Sequence, residues 1–219
     1  MFFMPKIITT DFNKDFNLGL YGFATEKYVF IGKYIEMPKN FTEKIKIIKN
    51  TVANTNLVGI FCTGNSSGIL VSGDIPYIKK ELERIDENVY FLNTKYTALG
   101  NLLLMNDKGC IISYLIKNLK EKIERFFGLD CQIASKKYMV IGSLGIATNR
   151  GCLVSPLMDE DEIKKIEKVL KVKVDTGTAN FGSYYVGSCI IANSNFALIS
   201  PKTTGIEMAK IEEVLLRGG

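Results

Sequence analysis

The sequence predicts an α/β ring of five repeated units, sealed where an N-terminal strand joins the last unit. Three observations predict it. Five segments share one pattern, degenerate in the first: an apolar residue and glycine, a short apolar stretch, an Asn-x-x-Gly type of turn, and an apolar run ending in serine. Their leading glycines, Gly19, Gly59, Gly100, Gly142 and Gly187, stand 40, 41, 42 and 45 residues apart. The last unit has no room for a closing strand, and a spare N-terminal segment fits the gap. Self-similarity at this period marks repeat architectures, in which each module buries its apolar face against the next.

Taken in order, residues 6–10 (KIITT) form a strand-like run with no helix of their own. The five units then follow at approximately 11–54, 55–95, 96–135, 136–179 and 180–219, with 1–10 closing the ring and the whole chain one domain. Their repeated segments are 18–32 (LGLYGFATEKYVFIG), 58–72 (VGIFCTGNSSGILVS), 99–113 (LGNLLLMNDKGCIIS), 141–155 (IGSLGIATNRGCLVS) and 186–200 (VGSCIIANSNFALIS). Each reads as a β-hairpin, two apolar runs around residues that tolerate positive φ. In the first unit Thr25 replaces the turn asparagine. The leading glycines serve geometry at a close backbone approach near the ring axis, and the turns serve the hairpins.

A stretch of helical period follows each hairpin. In the fourth unit Pro156 and the run Asp159, Glu160, Asp161, Glu162 put acid at the positive end of a helix dipole. Ile163, Ile166, Val169 and Leu170 form its buried stripe, with Lys164, Lys165 and Lys168 toward water. Comparable stripes are Ile45, Ile48 and Val52; Ile78, Leu82 and Ile85; Leu119, Ile123, Phe126 and Phe127; and Met208, Ile211 and Leu215. Short strands at 89–92, 131–134 and 172–174 close the middle units. The fifth helix runs to Arg217, Gly218 and Gly219 with no tail beyond, so KIITT completes that sheet and removes its open edge.

Composition narrows the function. With 47% hydrophobic and 23% charged residues, the 219-residue chain has the balance of a folded domain rather than a disordered one. No apolar run reaches the roughly 18–20 residues that cross a bilayer, and the opening Met1 to Pro5 lacks the parts of a signal peptide, so a cytoplasmic protein is expected. Five scattered cysteines without a C-x-x-C pair indicate neither disulfides nor zinc; Cys110 and Cys152 follow equivalent turn glycines, which points to packing. The net charge of +5 favours an RNA-rich partner, although the lysine clusters at 44–46 and 117–125 alternate with acid and read as solvated helix faces. There is no P-loop, GxGxxG fingerprint or triad, and no cofactor or metal is expected.

The blocks YTALGN (96–101), NDKG (106–109), ATNRG (147–151), GTANFGS (177–183) and TTGIE (203–207), set in the five-unit pattern, resemble the translation initiation factor 6 family in its archaeal form. The resemblance spans essentially the whole chain. It implies a pentein fold, a five-fold pseudosymmetric α/β propeller, in a monomeric protein that binds the large (50S) ribosomal subunit. Contact with ribosomal proteins and rRNA near the sarcin-ricin loop would keep the small subunit from joining, and a part in large-subunit biogenesis is a further implication. No membrane and no small-molecule substrate are implied. The contact rim it implies lies near the start of each unit's first strand, at Ile60, Asn101, Leu144 and Tyr185, with Asn180 and Phe181 from the GTANFGS block. Eukaryotic relatives carry a basic residue at the Ile60 position, and the family usually has arginine where Phe181 stands.

Two other readings compete. Penteins also include guanidine-modifying enzymes that pair a nucleophilic cysteine with histidine and acidic partners; this chain contains no histidine. A ribosome-independent scaffold for RNA or protein is the other.

Overall fold

The computed structural model describes residues 6–218, so the expectations for Met1–Pro5 and Gly219 lie outside it. The chain opens with β1 (Lys6–Thr9). Unit one continues with a 3-10 turn (Leu18–Leu20), β2 (Gly22–Ala24), β3 (Tyr28–Gly32) and β4 (Lys46–Asn50). Unit two comprises α1 (Val58–Phe61), β5 (Cys62–Asn65), β6 (Gly68–Ser72), α2 (Ile78–Leu82) and β7 (Val89–Leu92). Unit three follows with α3 (Leu99–Leu102), β8 (Leu103–Met105), β9 (Cys110–Ile112), α4 (Lys120–Phe127) and β10 (Cys131–Ile133). Unit four has α5 (Ile141–Leu144), β11 (Gly145–Ala147), β12 (Gly151–Val154), α6 (Glu160–Leu170) and β13 (Lys173–Thr176). Unit five ends the series with α7 (Val186–Cys189), β14 (Ile191–Ala192), β15 (Phe196–Ile199) and α8 (Gly205–Ile211), which passes into a π turn (Glu212–Arg217).

These elements make five three-stranded sheets. In each, the hairpin strands pair antiparallel and a third strand joins the second in parallel: β4 on β3, β7 on β6, β10 on β9 and β13 on β12. Parallel pairing needs a crossover, and in units two to four α2, α4 and α6 supply it. The fifth sheet has the order β1-β15-β14, with Lys6 opposite Phe196 and Thr9 opposite Ile199. The N-terminal strand therefore completes the last unit, as its isolation in the sequence predicted.

The apolar residues divide into five clusters, each shared by consecutive units. Tyr28 and Phe30 of unit one pack with Val71 and Ile78 of unit two, and Leu70 and Leu92 pack with Leu99 and Ile112 of unit three. Leu104 and Ile111 meet Ile141 and Ile166, and Leu153 meets Ile199 and Leu215. The last cluster joins Phe196 and Leu198 of unit five to Leu18 and Val29 of unit one, so the shared burial runs through all the units and returns to its start. All five cysteines are buried free thiols, as expected. Among the described residues no helix is long and apolar enough to cross a membrane.

Three local expectations need correction. The spacing of Ile45, Ile48 and Val52 suggested a helix, but residues 46–50 are β4, paired with β3 from Tyr28 opposite Lys46 to Gly32 opposite Asn50. Ile48 is buried by strand alternation between the exposed Ile47 and Lys49, whereas Val52 is buried in a turn bridged to Thr55. Next, the apolar-Gly segments are not strand but single helical turns that deliver the chain into the first hairpin strand. Lastly, Lys165 is not simply solvated: its ammonium lies 2.8 Å from the buried carboxylate of Glu162.

Candidate functional site

The helical turns that carry the leading glycines gather at one end of the molecule. A Cβ placed on Gly59 would collide with the carbonyl oxygen of Gly19, and the same holds for Gly100 against Gly59, Gly142 against Gly100, Gly187 against Gly142, and Gly19 against Gly187. The five backbones thus touch in a closed cycle, at a spacing only a residue without a side chain permits. Behind this cycle lies an axial cavity of about 90 Å³, lined in part by Gly22, Gly64 and Gly145.

Four of the anticipated contact residues sit on or beside these turns. Asn101 lies half-buried in α3, and its Oδ1 accepts a hydrogen bond from Ser143 Oγ of α5 at 3.0 Å. Ile60 is half-buried in α1. Tyr185 precedes α7 and is 53% exposed, whereas Leu144, the last residue of α5, is buried with Tyr138 and Ile141. The structure therefore brings the four to one end but opens them unequally.

Asn180 and Phe181 occupy the loop between β13 and α7, bridged by Ala179 and Ser183, with φ of +53° and +63°. The Asn180 amide is engaged through both its atoms: Nδ2 donates to the Phe16 carbonyl at 2.7 Å, and Oδ1 accepts from Ser200 Oγ at 2.6 Å and Thr203 Oγ1 at 3.2 Å. Asn180 thus fastens the fifth unit to the first, and Phe181, 82% exposed, is displayed at the tip. Met139, Val140 and Tyr184 add exposed apolar surface in the equivalent lead-in segments of units four and five.

Sequence reasoning missed what holds this loop. The N–H groups of Phe181 and Gly182 donate to the Glu207 carboxylate at 3.2 and 2.8 Å, which also accepts from Thr178 Oγ1 and Thr204 N at 2.7 Å each. Burial pushes this carboxyl up, but the donors from Thr204, Thr178 and Gly182 outweigh it and hold it below its ordinary range. The device recurs. Glu81 of α2 accepts from the N–H groups of Ala53 and Asn54 at 2.8 and 2.9 Å, and Glu162 of α6 from Ser135 N at 3.2 Å. A glutamate on each of these outer helices clasps the loop that leads into its own unit. The signals that could have pointed to it are Thr204-x-x-Glu207 and Asp159-x-x-Glu162, each with the N-cap-to-third-residue spacing at a helix start; the first forms a capping box.

At the opposite end the hairpin turns are tied to one another. Asn106 Nδ2 donates to the Thr148 carbonyl at 3.0 Å, and Asn193 Nδ2 to the Thr25 carbonyl at 2.9 Å. Asp107 accepts from Ser66 Oγ and Asn149 Nδ2, and Glu26 from Ser194 Oγ. These polar groups satisfy each other between neighbouring units, so the glycine end carries the open aromatic and apolar side chains. Nor do the thiols stand ready for chemistry: burial pushes Cys62, Cys110, Cys152 and Cys189 up, away from the thiolate a nucleophile needs.

Residues 7–214 match the model of the eIF-6 family. This chain belongs to the eIF-6 family. Its eIF-6 relatives include the protein named Translation initiation factor 6 of Methanococcus vannielii, 42% identical over 203 residues that cover 86% of this chain and 88% of that protein. The protein of the same name in Pyrococcus horikoshii is 36% identical, covering 84% and 87%, and that of Sulfolobus acidocaldarius 33%, covering 82% and 85%. The eIF-6 match includes every one of the six candidate contact residues and the three clasping glutamates.

Proposed function

We propose that this protein is a translation initiation factor that binds the large ribosomal subunit and keeps the small subunit from joining it, with a part in large-subunit biogenesis. The observation that carries the reading is the glycine end, which carries the half-buried Asn101 of α3 and, in unit five, the exposed Tyr185 and the Phe181 tip, in a chain of the eIF-6 family. The closed cycle of glycine contacts and the N-terminal closing strand support a pentein, folded as one domain. Blocking is steric work. A specific interface needs about 800 Å² per partner, under a tenth of the 10498 Å² accessible here. A compact ring can therefore bind with one face and obstruct with its bulk.

In this reading Ile60, Asn101, Tyr185 and Phe181 touch rRNA or ribosomal proteins near the sarcin-ricin loop, Leu144 backs them from within, and Asn180 positions the loop. The protein acts as a cytoplasmic monomer without a cofactor. It is not an enzyme: burial of the thiols and the lack of histidine both oppose nucleophilic catalysis.

Sedimentation through a sucrose gradient with purified subunits tests it. The protein should travel with free large subunits, and Asn101→Arg should lower that fraction about tenfold while the circular dichroism spectrum is unchanged. Co-sedimentation with small subunits or mRNA alone would favour an interaction scaffold instead.

A further inference from the structure

Tyr114 begins the 3-10 turn that follows β9, and two ammonium groups converge on it. Lys117 Nζ donates to the phenol oxygen at 2.7 Å and lies 4.1 Å from the ring centroid. Lys136 Nζ, from the segment between β10 and α5, lies 4.8 Å from the same centroid. Both lysines are exposed. Their neighbours have carboxylate partners: Lys120 pairs with Glu124, and Lys137 with Asp159. Among the described residues, neither Lys117 nor Lys136 has one within 4.0 Å. Two like charges are therefore collected on one aromatic ring with nothing in the chain to neutralise them. They hold the phenol below its ordinary range, Lys117 first through its hydrogen bond.

The two segments are held together independently of those charges, because Ser113 Oγ donates to the Met139 carbonyl. That bond sets the exposed Met139 and Val140 on the segment that carries Lys136, leading into α5 at the glycine end. An anion between the ammoniums would relieve their repulsion. It would also take the phenol's own proton as a hydrogen bond, since Tyr114 accepts from Lys117 and its O–H remains to donate. Lysines offer point charge without fixed bidentate geometry, which suits a backbone phosphate more than a base edge. The exposed Met139 and Val140 add apolar surface beside the two ammoniums.

We propose that Tyr114, Lys117 and Lys136 form a clamp for a backbone phosphate of RNA, read without regard to sequence. The clamp rests on the large-subunit reading above and names the rRNA backbone as what this sector of the contact face grips.

The test is fluorescence anisotropy with the full chain and a labelled single-stranded RNA of mixed sequence, about 12 nucleotides long, over a salt series. Lys117→Ala/Lys136→Ala should bind about tenfold more weakly. Its slope of log affinity against log salt should be shallower by about 0.7 for each phosphate it no longer neutralises. The pair Lys122→Ala/Lys168→Ala, exposed on outer helices, should stay within about twofold of the wild type and controls for net charge. Equal losses in both pairs, no loss in the first, no wild-type binding at low salt, or a preference for phosphatidylserine vesicles over RNA would each overturn the clamp. Gradients with large subunits separate the two readings. If the wild type binds subunits and the lysine pair leaves RNA affinity untouched, the clamp fails alone; if the pair loses RNA affinity but no form binds subunits, the ribosomal reading fails and the clamp stands.

Discussion

Asn180 Nδ2 donates to the main-chain carbonyl of Phe16 at 2.7 Å, joining two residues 164 positions apart across the seam between the last unit and the first. The same side chain serves Ser200 and Thr203, so one amide in the loop that displays Phe181 also ties the last unit to the first.

Asn180→Ala should therefore cost stability. It strands the Phe16 carbonyl and removes the acceptor of two hydroxyls, a loss of about 1–3 kcal/mol. Urea unfolding measures it, and an unchanged midpoint would show that the seam is held elsewhere.

Gly100→Val tests the glycine cycle. Its side chain would have to enter the space of the Gly59 carbonyl, backbone that cannot swing aside. A loss of more than about 4 kcal/mol, or failure to fold, is expected from overpacking of this kind. Thermal melts would contradict the cycle if the variant unfolded with the wild type.

Phe181→Ser should separate binding from folding. The ring is 82% exposed, so stability should stay within about 0.5 kcal/mol. Loss of an aromatic anchor from a buried interface should weaken large-subunit binding about tenfold. Equal affinity of the two forms would remove the tip from the interface.

Glu207 predicts a pH dependence. Its folded carboxyl titrates below the ordinary value of about 4.5, so its contribution is fully present above that pH and is lost as pH falls through the folded value. The stability gap between the wild type and Glu207→Gln should be widest near neutrality and close in acid. Denaturant midpoints across that range decide it, and a gap independent of pH would show that the charge is not what clasps the loop.

The large-scale order was legible in the sequence because it rests on spacing. Glycines about 40 residues apart, and a strand-like KIITT with no helix of its own, both follow from what a closed repeat must repeat and must lack. Shorter features were not legible. Four residues such as 58–61 are too few to show a helical period, so the turns around the glycines read as strand. In unit one, Ile45, Ile48 and Val52 matched a helical stripe although strand alternation buries Ile48 and a turn buries Val52. The six contact residues were drawn from family resemblance, and local pattern carries no hint that Asn180 turns inward while Phe181 turns out. The clasping glutamates escaped because their partners are backbone N–H groups up to 28 positions away, which have no residue-type signature.

The parallel pairing of β1 with β15 sets a timetable for biosynthesis. Lys6 leaves the ribosome about 190 residues ahead of Phe196, its partner in the sheet. At roughly 5–20 residues per second, the earliest strand waits some 10–40 s with its hydrogen-bonding edge unmatched. Over that interval the nascent polypeptide offers a sticky flank to any extended segment nearby. The unit made after the other four is thus also the latch that retires this hazard.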